Sequence, residues 1–214
     1  TNYQAGKILF DQSRFAEAKP YLQMAYAAKP AQDDLPMLLG RIHFLEKSQM
    51  AYPLLKEYAQ GKNGQVSQEV EEWLARSAAA SGQYEDAANW YEKRLKRGDN
   101  ESLSAEYLAA LVASNQKARA LGAARTLAVK YPSSRAILES SANVLDSPAD
   151  SVALLKCLES LSSLESDPLK KSNIQRRLLD VKIRQGRNKE ADELLSALLD
   201  RVAADRRLES RGIK

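Results

Sequence analysis

Residues 73–95 read WLARSAAASGQYEDAANWYEKRL. Leu74 and Ala78 lie four residues apart, and so do Ala87, Tyr91 and Leu95, so apolar side chains return to one helix face on each side of a break at Gly82. Gly82 is free to take the positive φ that ends a helix. The stretch predicts two short helices joined by a tight turn. Ala87 sits where those helices approach closest, so a small side chain is needed there. Ala87→Leu should overpack the hairpin and cost about 1–3 kcal/mol. One such hairpin cannot bury both faces of its apolar stripe, whereas a stack of them can.

The same punctuation recurs along the chain. Gly6 and Gly40 are 34 residues apart, Pro30 and Pro132 are 102 apart, and Gly82 and Gly186 are 104 apart. Ala18, Ala87 and Ala191 are separated by 69 and 104 residues. A period near 34 is that of a stacking two-helix repeat, and the chain has room for about six copies. Strand signals are nearly absent, since Val and Ile are sparse and alternating runs are missing. Asn63-Gly64 lies in the polar stretch 60–67 and reads as a loop. Ala and Leu, both strong helix formers, dominate. Ser147-Pro148-Ala149-Asp150 and Asp167-Pro168 read as N-caps followed by Pro in the first helical position. These readings predict an all-α chain of about twelve antiparallel helices.

These residues resemble the tetratricopeptide repeat (TPR). Repeat one matches through Gly6, Phe15, Ala18, Leu22, Ala25 and Pro30, and repeat two starts at Leu39-Gly40. Repeat three matches through Leu74-Ala75, Ala78, Gly82-Gln83-Tyr84, Ala87 and Tyr91. Repeat four keeps Leu108, Ala120 and Lys130-Tyr131-Pro132, and repeat six returns with Leu178-Leu179, Gly186, Ala191, Leu195 and Leu198. Repeat five is diluted by Ser140-Ser141, Ser160, Ser162 and Ser163, so weaker packing is expected over 137–168 than in repeat three. The resemblance implies one solenoid over 1–214, wound as a right-handed superhelix, with approximate repeats 1–32, 33–66, 67–100, 101–133, 134–168 and 169–214.

Composition narrows the function. The chain has 214 residues, 32 basic and 28 acidic, for a net charge of +4. Basic and acidic residues interleave, which does not suit a specific nucleic-acid binder. No apolar run is long enough to span a membrane. One cysteine and one histidine cannot build a four-ligand Cys/His zinc site. No glycine-rich loop cradles a phosphate. No cofactor is expected. The sequence begins Thr-Asn-Tyr without an initiator Met, as a processed product or a piece of something longer would.

His43 occupies the aromatic position of repeat two and reads as a packing residue, with no nucleophile placed beside it. Cys157 lies on an apolar helix face and reads as a small buried hydrophobe. The acids Asp33-Asp34, Glu69, Glu71 and Glu72 fall at helix starts and read as capping and solubilising groups. The basic runs Lys93–Arg97 and Arg206-Arg207 read as solvated helix ends, and the charged tail from Arg201 either extends the last helix or frays. In TPR arrays the first helices line a concave groove, and the residue after the Gly/Ala position faces it. Here those residues are Lys7, Arg41 and Arg76, which the resemblance places as a cationic ladder. Trp73 and Tyr107, 34 residues apart, occupy a second equivalent position that faces either the groove or the core between repeats. A chaperone-tail clamp pairs Lys and Arg with Asn. This chain has Arg41 or Lys7 where the Asn would stand.

The reading that follows is a non-catalytic binding scaffold, with no catalytic residue and no metal. It holds a segment of a protein partner, with acidic character, in the groove. The alternative is a periplasmic TPR domain of a bacterial exopolysaccharide export machine, binding polymer or a modifying enzyme. The compartment stays open between cytoplasm and bacterial periplasm.

Overall fold

The computed structural model describes residues 1–28 and 32–210. Pro30 and residues 211–214 lie outside that range, as do the side chains of Arg206 and Arg207. Among the described residues there are twelve α-helices and no strand, as the sequence predicts. The chain divides into two compact units, Thr1–Asn115 and Gln116–Lys214.

The first unit pairs α1 (Asn2–Asp11) with α2 (Phe15–Ala27), α3 (Leu35–Leu45) with α4 (Ala51–Gly61), and α5 (Gln68–Ala80) with α6 (Tyr84–Leu95). α7 (Glu101–Ala113) packs on α6, and α2 and α4 pack on the helices that follow them. Each hairpin closes at a small residue. A Cβ on Gly6 would lie 2.8 Å from the Leu22 side chain, and one on Gly40 would lie 2.7 Å from that of Leu55. Ala18 and Ala87 are completely buried. The close approach lets Leu22 and Leu55 bury fully, each contributing about 1.5–3 kcal/mol. Gly82 ends α5 at φ +74°, the left-handed conformation that an L side chain resists.

The second unit comprises α8 (Lys117–Lys130), α9 (Arg135–Val144), α10 (Ser151–Leu164), α11 (Pro168–Arg184) and α12 (Asn188–Ser210), each packed on the next. Asp167 caps α11 as expected, accepting from the backbone N–H groups of Leu169 and Lys170 with Pro168 in the first turn. Ser147 and Pro148 likewise stand at the N-cap and in the first turn, of a 3-10 turn (Pro148–Asp150) that leads into α10; the Ser147 hydroxyl donates to the Asp150 carboxylate at 2.5 Å and caps no backbone N–H. Ser141, read as a dilution of the apolar stripe, is fully buried and donates to the Ala124 carbonyl at 3.4 Å. The backbone of α12 carries the charged tail as helix to Ser210.

Two charge readings are also corrected. Glu71 is not a solubilising acid: it is completely buried in the first turn of α5. Lys93 and Arg97 are not free helix-end charges. Each approaches the Glu71 carboxylate to 3.4 Å, and they donate to the carbonyls of Gly64 and Val66 respectively. One acid thus ties the start of α5, the end of α6 and the loop before α5. Asp34 flanks α3 but makes no side-chain cap; it accepts the Tyr3 hydroxyl instead, at 2.8 Å.

Candidate partner-binding surface

The candidate residues of the first unit lie on first helices: Lys7 on α1, Arg41 on α3, Trp73 and Arg76 on α5, and Tyr107 on α7. All five are half-buried. The three cations have different environments. Lys7 stands 3.7 Å from Asp11 and 3.8 Å from Asp34, between its own helix and the entry to α3. Asp34 also holds the Tyr3 hydroxyl; burial and that hydrogen bond push the Tyr3 phenol up to about 12.

Arg76 is the most committed. Its guanidinium donates to both Glu106 oxygens, at 2.9 and 3.0 Å, and meets Glu72 one turn back at 2.7 Å. Glu106 also accepts from the Tyr91 and Ser102 hydroxyls. Burial alone would raise the Glu106 carboxyl, but the donors from Arg76 and Tyr91 outweigh it and hold it below the usual range. Burial and the bond to Glu106 raise the Tyr91 phenol. At two of the three rungs of the expected cationic ladder, Lys7 and Arg76, carboxylates of the chain itself already meet the charge.

Arg41 differs. Its guanidinium carbon lies 4.9 Å from the Trp73 ring centre, 5.4 Å from Phe10 and 5.6 Å from Phe15. Phe10 and Phe15 meet edge to face at 5.2 Å, and Phe44 lies 6.3 Å from Trp73. Four helices thus build an aromatic cage around one cation. Among the described residues no carboxylate lies within ion-pair distance of Arg41. Such contacts contribute about 0.5–1 kcal/mol each where exposed and more where desolvated. They also hold the guanidinium plane without using its N–H donors.

Trp73 belongs to this cage. Tyr107 does not; it stacks on none of the described rings, so the structure does not bring the two aromatics together. The rings of Phe10 and Phe44 were missed as site residues, although their 34-residue spacing was a usable signal. His43 is a packing residue. Its Nδ1 lies 3.5 Å from Glu46, and burial, then the Lys19 charge, lower its pKa. Cys157 is buried, which raises its thiol pKa and suits the inert reading. Among the described residues no three His, Cys, Asp or Glu side chains are grouped to hold a metal. Among the described residues no helix is long and apolar enough to cross a membrane.

Neither a protein-family model nor a curated protein matches the sequence. Solved structures do. The C-terminal part of a TPR repeat-containing protein from Cytophaga hutchinsonii superposes with a TM-score of 0.58 at 10% identity, over 95% of this chain and 80% of that one. The chain has the tetratricopeptide-repeat fold. MamA from Desulfovibrio magneticus RS-1, from its residue 41 onward, gives a TM-score of 0.54 at 17% identity, over 80% of this chain and 95% of that one. PilF of Pseudomonas aeruginosa gives 0.52 at 12% identity, over 92% and 90%. At these identities the likeness extends to the TPR fold and no further. Within this TPR fold the Arg41 cage is built from one hairpin and the first helices of the next two.

Proposed function

We propose that the chain is a non-catalytic scaffold that holds a segment of a partner protein on the first-helix surface of its first unit. The observation that supports this reading is the Arg41 cage. A guanidinium oriented by three rings, with no carboxylate of the described residues within ion-pair distance, is prepared to accept one from outside, in bidentate geometry. The surrounding rings offer apolar contact beside that charge. The complementary ligand is a peptide segment with an acidic group next to an apolar side chain. Lys7 and Arg76 each face two carboxylates of the chain, so neither adds net positive charge beside Arg41. A polysaccharide ligand is less well supported, because Trp73 already carries Arg41 against its ring and has less face left for a sugar.

Arg41→Ala tests the reading. Peptides of mixed composition are arrayed and probed with the full chain. Wild type should retain a set enriched in acidic residues beside apolar ones, and Arg41→Ala should lose most of that set; the lost ring contacts lower its melting temperature by several degrees, so the two are compared at a temperature where circular dichroism shows both folded. Equal retention by both proteins refutes it. Arg76→Ala is unsuitable as the test, because it also strands Glu106 and Glu72.

A further inference from the structure

Three charge centres line the first helices of the first unit, and their signs alternate. At Lys7 one ammonium faces two carboxylates, Asp11 at 3.7 Å and Asp34 at 3.8 Å, which leaves a net charge of −1. At Arg76 one guanidinium faces Glu72 at 2.7 Å and Glu106 at 2.9 Å, which again leaves −1. The Tyr3 hydroxyl on Asp34 and the Tyr91 hydroxyl on Glu106 are neutral donors and leave these sums unchanged. Glu69, seven residues before Arg76 on α5, is exposed, and among the described residues no cation lies within ion-pair distance of it. Between the two acidic centres Arg41 keeps its whole positive charge, because its contacts are rings. At the end of α3, Glu46 is taken by Lys19 at 2.6 Å, and the next cation, Lys47, follows in the turn to α4.

α3 touches α1 on one side and α5 on the other, so the order across the surface is negative, positive, negative. The unit as a whole leans the same way. Residues 1–115 hold 13 basic and 15 acidic residues, a net charge of −2, although the full chain carries +4. A uniformly acidic segment would gain one ion pair at Arg41 and meet like charge on both sides of it. Such juxtaposed like charges are what suppresses wrong partners.

We propose that this surface selects a partner segment in which one acidic residue is flanked on both sides by Lys or Arg. The proposal rests on the reading that Arg41 seats an acidic group, and it adds the chemistry of the flanks. Packed helices stand roughly 8–10 Å apart. An extended chain advances about 3.3 Å per residue, so a segment crossing the first helices reaches the next charge centre about three residues on. The fitting pattern is basic-x-x-acidic-x-x-basic, with an apolar residue beside the acid to meet the Arg41 rings.

The test uses labelled peptides with an acidic and an apolar residue at the centre and Lys, Ala or Glu three positions away on each side. Anisotropy titration against the full chain reads their affinities. Each exposed pair contributes little, so the two flanks together should make the Lys-flanked peptide bind about three- to tenfold more tightly than the Ala-flanked one, with the Glu-flanked one weakest. The differences should shrink in about 0.5 M NaCl. Asp11→Asn and Glu72→Gln each neutralise one acidic centre while Lys7 keeps Asp34 and Arg76 keeps Glu106, so circular dichroism of both should match wild type. Each should reduce the Lys preference and leave binding of the Ala-flanked peptide unchanged. Equal affinity for the three flanks, or tightest binding of the Glu-flanked peptide, with binding still lost in Arg41→Ala, overturns the charge pattern and leaves the Arg41 seat standing. Peptides that bind Arg41→Ala as tightly as wild type, or no binding by any peptide, overturn the seat and this inference with it.

Discussion

Gly40→Ala puts a methyl group into the closest approach of α3 and α4. The added Cβ would stand 2.7 Å from Leu55 Cγ, 2.8 Å from its Cδ2 and 3.2 Å from its backbone nitrogen. Leu55 is fully buried and has no space to swing into, and the nearby backbone atom means that α4 itself must shift. That places the cost in the upper part of the overpacking range, about 2–3 kcal/mol. Alanine is the better helix former by about 1 kcal/mol, which offsets part of it. The net expectation is a loss of about 1–2 kcal/mol, or a melting temperature lower by roughly 2–8 °C in a chain of this size. Gly122→Ala is the control. Gly122 lies within α8 and an added Cβ meets nothing within 4 Å, so the same change should stabilise by about 0.5–1 kcal/mol. The loss of unfolded-chain freedom is common to both substitutions and cancels in the comparison. Thermal melts followed by far-UV circular dichroism read both. If Gly40→Ala melts at or above wild type, or if the two variants shift in the same direction, the close-approach reasoning fails.

Glu71→Gln should destabilise the first unit. Breaking a buried ion pair costs about 3–5 kcal/mol, but Lys93 and Arg97 are 40% and 43% exposed, so solvent screening lowers the expectation to about 1–3 kcal/mol. A urea midpoint unchanged from wild type would show that the cluster contributes nothing. The hydrogen bond from Arg135, then that from the Asp167 N–H, holds the Glu165 carboxyl down at about 2, against an ordinary 4.5. Because the folded value lies below the unfolded one, this stabilisation is fully present above about pH 4.5 and is lost as pH falls through about 2. Arg135→Ala should raise the Glu165 value in an NMR titration and flatten the acid limb of the stability curve; an unmoved titration counts against the pairing. Hydrogen exchange should be faster over 137–168 than over 70–98, because a cleft of about 560 Å³ beside α10 leaves that hairpin less filled, and equal protection would contradict this.

The fold was legible in the sequence wherever a backbone position admits few residue types. Gly82 and Gly186 read as helix terminators and both take positive φ. Ala18 and Ala87 read as close approaches because only small residues recur there at the repeat spacing, and both are completely buried; Gly6 and Gly40, read as breaks, instead stand inside α1 and α3, where those helices meet Leu22 and Leu55. The TPR resemblance also placed Lys7, Arg41, Arg76 and Trp73 on first helices, where the structure has them. It did not say what would meet them. Arg76 looked like a free groove cation until Glu106, 30 residues on, appeared against it. Glu71 looked like a helix-start acid until Lys93 and Arg97 closed over it from the next helix. The Arg41 cage needs rings from three other helices. Spacing along one helix fixes the face on which a side chain stands. Its partner comes from another element, at a distance and angle set by how the helices pack, so the exposure and charge of these sites were decided only by the tertiary structure.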